Sequence, residues 1–161
     1  MTLPNWNQIA LVRVEAKPAG LWTMAVEYVP PSRLLRFRVV DKDASKNPVA
    51  TEWKLSEDAS CGPNGLPSSS NTPKTSLLCS ATPLGALIAK IGGSTADVPD
   101  SSVSGTPPYA SKRVFSVGSF CIVAVTVAAD AGPLFLTMND VLDNFKLHSG
   151  ALHVEVSDAP I

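Results

Sequence analysis

The sequence predicts an all-β protein, an antiparallel β-sandwich or jelly roll, and three observations carry that expectation. Short apolar or alternating runs recur along the chain. Clusters of Pro, Gly, Ser and Asn separate them, and no stretch of useful length keeps a helical period. Short strands with turn signals between them are the pattern of a sandwich or jelly roll. The 161 residues read as one domain over 1–161 with no internal repeat. A chain of that size buries roughly two-thirds of its unfolded surface.

Gln8–Glu15 reads as the first strand and Leu21–Tyr28 as the second, with Pro18-Ala19-Gly20 breaking the chain between them. Pro30-Pro31 precedes a third strand, Arg33–Asp41, in which Arg36, Phe37, Arg38 and Val39 alternate as a half-buried strand requires. Val49–Leu55, carrying Trp53, is a weaker strand candidate. From Cys61 to Thr75 the chain is mostly Gly, Pro, Asn and Ser, a long surface loop of the kind that often carries function. Leu84–Ile91 reads as a buried strand that ends at Gly92-Gly93, and Ser94–Ser111 as a second loop. Arg113–Val117, Phe120–Ala128, Leu134–Met138 and Ala151–Ser157 complete the strands; Val141–Leu147 has room for one helical turn at most.

Composition narrows the function classes. Lys+Arg 13 against Asp+Glu 14 leaves a net charge of -1, without the basic excess that a nucleic-acid surface shows. No apolar run approaches the roughly 18 residues of a membrane helix; the longest, Phe120–Ala129, is interrupted by Thr126 and stopped by Asp130. The start, Met1 to Trp6, has neither a basic nor an apolar leader region, which reads as no signal peptide. The location expected is cytoplasmic, or outside the cell by a route that needs no such peptide. Cys61, Cys79 and Cys121 form no zinc spacing. Cys121 reads as a small buried hydrophobe. Cys61 and Cys79 flank the first loop, and whether they pair stays open.

The catalytic inventory is thin. There is no Gly-x-Ser-x-Gly elbow, phosphate loop, dinucleotide fingerprint or His-Glu-x-x-His helix. Asp41 with Asp43 and Glu57 with Asp58 read as solvated turn charges, and His153 as a solvent-facing strand residue. An enzyme is not expected. One segment exceeds this background: Asn139, Asp140, Asp143, Asn144 and His148 crowd the connection that leads to Gly150 and the last strand. Carboxylates and amides in a tight loop are the oxygen donors a hard cation such as calcium collects. The plainer reading is that Asn and Asp make turns by capping their own backbone.

The run Gly132-Pro-Leu-Phe-Leu-Thr-Met-Asn139-Asp140-Val141, followed by Ser149-Gly150-Ala-Leu-His-Val-Glu-Val156, resembles the end of the PA-IL-type galactose-binding lectins. Leu77-Leu-Cys79 with Leu84-Gly-Ala-Leu-Ile-Ala-Lys-Ile-Gly92 resembles that family's Cys-containing turn and Gly-Ala-Leu strand. Cys61-Gly-Pro-Asn-Gly65 resembles its Trp-Gly-Pro-Gln-Gly turn, and Trp6 with Gly20–Pro30 its first strands. The resemblance spans nearly the whole chain, with insertions near 41–52, 66–75 and 96–111.

The resemblance implies a galactose-type lectin that holds one calcium ion and binds galactose-containing glycans through it, commonly as a homo-oligomer. Carried over, Asp140 is a calcium ligand that also contacts the sugar, Asn144 gives a backbone carbonyl to the ion, and Val141 lines the sugar subsite. The adjacent asparagines of the family are here Leu147 and His148. Leucine gives no oxygen and histidine a nitrogen, which calcium accepts poorly. Asp143 and Asn139 are the residues that could make up the set, and Asp140, Asp143 and His148 would also suit a transition metal. The family's His-Pro-x-Gln sugar contact has no counterpart in 66–75. Trp53 or Tyr109 could supply an aromatic face for a sugar. The alternative is a protein-interaction or assembly domain that kept the sandwich and lost the ion.

Overall fold

The computed structural model describes residues 3–67, 77–93 and 114–161. Among these residues ten strands form in chain order: β1 Asn7–Glu15, β2 Thr23–Val29, β3 Arg33–Val40, β4 Trp53–Ser56, β5 Ala59–Cys61, β6 Leu87–Ile91, β7 Phe115–Ser116, β8 Phe120–Val125, β9 Gly132–Met138 and β10 Ala151–Pro160. One sheet runs β1-β10-β3-β8 and a second β2-β9-β6-β7, with β4-β5 as a separate hairpin; every pairing is antiparallel. The expected all-β sandwich is the observed architecture.

The alternation read in the third strand does what it should. Leu35 and Phe37 turn inward and are fully buried, while Arg36 and Arg38 turn outward and both reach Glu155 on β10. Leu87, Ala89, Ile91, Leu134, Leu136 and Met138 of the second sheet meet Val14, Leu35, Phe37, Val123, Leu152 and Val154 of the first, making one core between the sheets. All five residues of β6 are buried because the second sheet is also covered on its other side. There Ile88 and Phe135 lie beneath Trp22, Leu78, Cys79, Val114 and Phe145. A strand buried on both faces shows no alternation; β6 is apolar but for Lys90, whose ammonium lies over the Trp22 and Phe135 rings.

Several boundaries differ from the sequence expectation. The run expected from Leu84 enters β6 only at Leu87, because Gly85 sits at φ +86°, outside any strand conformation. The run expected to end at Ala128 leaves β8 at Val125 and turns through a short 3-10 helix, Ala128–Asp130. β10 continues three residues past Ser157 to Pro160, as β1 and β3 pair with it on either side. Val49–Leu55 yields only Trp53–Ser56, and this pairs with a strand, Ala59–Cys61, that had been read as the start of a loop. Glu57 and Asp58 are the exposed turn of that hairpin. The rest of the 61–75 loop is described to Pro67, where Leu66 N–H donates to the Leu84 carbonyl. All of 94–111, Tyr109 included, lies outside the described residues.

Candidate functional site

The candidate loop begins where β9 ends. Asn139 and Asp140 follow Met138 directly, a 3-10 helix over Leu142–Leu147 carries the chain across, and Ser149-Gly150 delivers it to β10. Ser149 exchanges both backbone hydrogen bonds with Lys54 of β4, and Ala16 at the end of β1 donates to the Gly150 carbonyl at 2.9 Å. The loop is therefore fixed to both neighbouring strands before any side chain is considered.

Asn139 is fully buried and turns away from the loop, toward the segment that covers the second sheet. Its Oδ1 accepts from the Cys79 amide at 2.9 Å, and its Nδ2 donates to the carbonyls of Cys79, Thr82 and Pro83 at 3.0, 2.9 and 3.1 Å. The backbone reinforces the clamp: Gly85 N–H donates to the Asn139 carbonyl, Asn139 N–H to the Ala86 carbonyl, and Leu78 N–H to the Asp140 carbonyl. Every polar atom of that side chain is spent on the 79–83 turn. Asn139, expected as a metal ligand, is here a fastener.

Asp140 turns the other way and is 1 % exposed. Its Oδ1 accepts from the Val141 amide at 2.7 Å and from Asn144 Nδ2 at 3.2 Å; its Oδ2 meets His148 Nε2 at 2.8 Å. The other ring nitrogen of His148, Nδ1, lies 2.8 Å from the Ala16 carbonyl, and the ring leans on Phe145 with centroids 4.6 Å apart. Asp140, Asn144 and His148 come together through these hydrogen bonds. Asp143 and Leu147 point into solvent from the 3-10 helix, and Val141 is half-buried.

Calcium needs six to eight oxygen ligands. Of the residues named for it, Asn139 is committed elsewhere, Asp140 has its two oxygens on Val141, Asn144 and His148, Asp143 stands in solvent, and Leu147 has no side-chain oxygen, which leaves the backbone carbonyl expected of Asn144 far short of that number. Among the described residues no three His, Cys, Asp or Glu side chains converge as a metal site, so Asp140, Asp143 and His148 do not form a transition-metal set either. The arrangement does not fit calcium. Nor are Asp140 and His148 placed to touch a sugar: both are buried, and both ring nitrogens are used.

The remaining candidates resolve as follows. Trp53 is 1 % exposed and donates Nε1–H to the Gly85 carbonyl at 2.9 Å, so it is core and offers no face to a ligand. All three cysteines are buried free thiols. Cys61 contacts the Gly85 carbonyl and Cys79 the Thr82 hydroxyl, so each has its own neighbour. Burial pushes the Cys61 and Cys121 thiols up to about 11; at Cys61 a hydrogen bond from Trp53 opposes that shift and the Glu52 charge adds to it. Asp43 spends Oδ1 on the amides of Ser45 and Asn47, as a turn residue does. His153 lies on the outer face of β10, the face of Glu155, as expected, and is half-buried there between the neighbouring strands at Arg13 and Val40; its Nδ1 has no hydrogen-bond partner among the described residues.

One surface feature escaped the sequence reading. A shallow cleft of about 530 Å³ is lined by Arg38, Val39, Val40, Asp41, Thr51, Ser119 and Phe120. Phe120 is 55 % exposed at the start of β8, an aromatic ring beside a guanidinium, a carboxylate and two hydroxyls. No motif marks it, because its residues come from three separated segments.

No family model and no curated protein matches the sequence. Among solved structures the chain is similar to the N-terminal domain of EclA, described as a PllA-like lectin, with a TM-score of 0.56 at 18% identity, over 94% of this chain and 98% of that one. At that identity the likeness is one of fold: the chain has a lectin-like β-sandwich.

Proposed function

We propose that this protein binds carbohydrate. The observation that carries the reading is the fold likeness to a PllA-like lectin over almost the whole of both chains, 94% and 98%. Galactose is the first sugar to try, on the resemblance of the Asn139-Asp140-Val141 and Ser149-Gly150 segments to galactose-binding lectins. Because Asp140 and His148 face inward, the seat proposed is the cleft beside Phe120. A sugar ring can lay its C–H face on the exposed aromatic ring, while Arg38, Asp41, Thr51 and Ser119 offer donors and acceptors to its hydroxyls. The test is a glycan array read with calcium and with chelator, followed by titration of the best glycan into wild type and Phe120→Ala. Retention of at least one glycan, weakened about tenfold or more in the variant, is expected for an anchoring aromatic. An array without a single retained glycan in either condition refutes carbohydrate binding; unchanged affinity in the variant refutes the seat.

A second reading has its own observation. β8, Phe120–Val125, carries no charged residue and is the last strand of its sheet among the described strands, with Phe120 and Ile122 exposed. Such an edge can take a second copy of the same strand. Light scattering decides: a mass above one chain that Ile122→Lys reduces to one chain supports self-association, and a single-chain mass for wild type removes it.

A further inference from the structure

The cleft beside Phe120 has two walls, and each is held by bonds that reach outside it. The first wall stands on the loop from Asp41 to Thr51, one of the stretches inserted relative to the lectin resemblance. Val49 N–H donates to the Asp41 carbonyl at 2.9 Å, and Lys42 bridges to Pro48, so the loop is closed at its neck. Within it Asp43 accepts the Ser45 and Asn47 amides on Oδ1 and donates its own N–H to the Asn47 carbonyl. The second wall is the turn that opens β8. Asn64 Oδ1 accepts the Ser119 amide at 2.9 Å, and the Ser119 carbonyl accepts Val39 N–H at 3.0 Å. Gly118 in that turn has φ +66°, and a Cβ there would stand 2.5 Å from Asn64 Oδ1. Both walls are in place before a ligand arrives, which spares binding the cost of ordering them.

Two charged residues line the cleft, Arg38 and Asp41, and they are not equivalent. Arg38 is already matched, with Nη2 2.9 Å from Glu155 Oε1. Arg36, the other cation on Glu155 at 3.7 Å, lies against the Trp6 ring, 4.8 Å from its centroid. Asp41 is exposed, and its carboxylate has no hydrogen bond or ion pair among the described residues. The unmatched charge of the cleft is therefore negative. We infer that Asp41 sorts sugars in this cleft by charge: its carboxylate accepts hydroxyls of a neutral pyranose and repels a sugar that carries a carboxylate of its own. A carboxylate only accepts, and its two oxygens suit two neighbouring hydroxyl donors. Bonds to it are charge-assisted and stronger than those between neutral groups. The N–H groups of Arg38 that Glu155 does not use remain to donate to a ring or hydroxyl oxygen. An acidic sugar instead meets a like charge, the repulsive element on which specificity is built. Arg38 could answer that charge only by leaving Glu155. This rests on the cleft being the carbohydrate seat.

Matched sugars test it. Methyl galactoside and methyl galacturonide differ only in the exocyclic group, hydroxymethyl against carboxylate, and methyl glucoside with methyl glucuronide makes a second pair. Each is titrated into isotope-labelled wild-type protein at neutral pH and followed by amide NMR. The neutral member of at least one pair is expected to shift the amides of Thr51, Ser119 and Phe120, and to bind about tenfold or more tighter than its acidic partner. Asp41→Asn keeps one acceptor oxygen and removes the charge. It is expected to weaken the neutral sugar about fivefold and to narrow the gap within the pair to about twofold or less. Its Tm should stay within about 1 °C of wild type, because the Asp41 side chain holds no other part of the fold. Glu57→Gln, in the β4-β5 turn, should leave both affinities unchanged. Acidic sugars that bind as tightly as their neutral partners overturn the inference and leave carbohydrate binding standing, as does a gap that Asp41→Asn does not narrow. Neutral sugars that shift only amides away from the cleft overturn it by moving the seat. No shift with any of the four sugars overturns it as well, and the glycan array then decides whether carbohydrate binding falls with it.

Discussion

Replacing Asn139 with Ala removes the amide that clamps the 79–83 turn onto β9, and the structure allows its cost to be worked through atom by atom. Four hydrogen bonds are lost, but they are not equivalent. The Cys79 carbonyl keeps the Thr82 N–H, and the Pro83 carbonyl keeps the Ala86 N–H. The groups orphaned among the described residues are the Cys79 N–H and the Thr82 carbonyl, both on buried residues. An unsatisfied buried polar group costs about 1–3 kcal/mol, so two of them amount to about 3–4 kcal/mol once partial relaxation is allowed. For a chain of this size that is a fall in Tm of roughly 6–16 °C. The assay is urea unfolding followed by tryptophan fluorescence, with the slope compared between variant and wild type to confirm a common unfolded state. Amide exchange at Cys79 should rise by several orders of magnitude if the turn is released locally. Loss of less than about 1 kcal/mol, with Cys79 exchange unchanged, would refute the reasoning, because the turn would then be held by its backbone bonds alone.

Three further outcomes follow from other parts of the molecule. Gly85→Ala should destabilise by about 2–4 kcal/mol in the same urea assay, since the residue is at φ +86° and a Cβ would stand 2.5 Å from Cys61 Sγ and 3.2 Å from Leu55 Cδ1; a loss within experimental error would refute it. Cys61 and Cys121, held up to about 11 chiefly by burial, should react with a thiol reagent at pH 8 roughly a hundredfold more slowly in the native protein than in urea. The sign for stability follows: a thiol whose native value lies above its unfolded value of 9.0 stabilises fully below pH 9 and loses that contribution up to about pH 11, so Tm should fall across that window. A flat Tm from pH 9 to 11 would count against both shifts. Trp53→Phe removes the Nε1–H donor to the Gly85 carbonyl and should cost about 1–2 kcal/mol in equilibrium unfolding; a neutral result would mean that the Cys61 thiol, also on that carbonyl, satisfies it alone.

Legibility in the sequence divides along a physical line. Arg36-Phe37-Arg38-Val39 and the buried run of β6 were readable because strand periodicity is a local property, fixed by which face meets the core. The β4-β5 hairpin was readable in principle from Trp53-Lys54-Leu55 and Ala59-Ser60-Cys61 on either side of Glu57-Asp58, but Gly62 and Pro63 made Cys61 look like loop. The true end of β10 was not readable: Asp158, Ala159 and Pro160 have little strand propensity, and they are in strand because Leu35, Leu34 and Arg33 pair with them. The cleft at Phe120 belongs to the same class, since its lining is assembled by pairing β3 with β8 and no segment carries it alone.

The Asp140 loop is the instructive case, because its residues stand out in the sequence and their chemistry still does not follow from composition. Asn139, Asp140, Asn144 and His148 are conspicuous because a short connection at the junction of two sheets has many backbone groups to satisfy and little water to help. Oxygen-rich side chains meet that demand equally well whether they face a cation or face amides. Orientation decides, and adjacent residues at a strand end point to opposite sides: Asn139 serves the cover of the second sheet while Asp140 serves the loop. What tips the loop from ligand set to fastener is the residue at 148. An oxygen donor there could add to a coordination shell, whereas an imidazole brings two ring nitrogens in fixed directions, both already spent inside the fold.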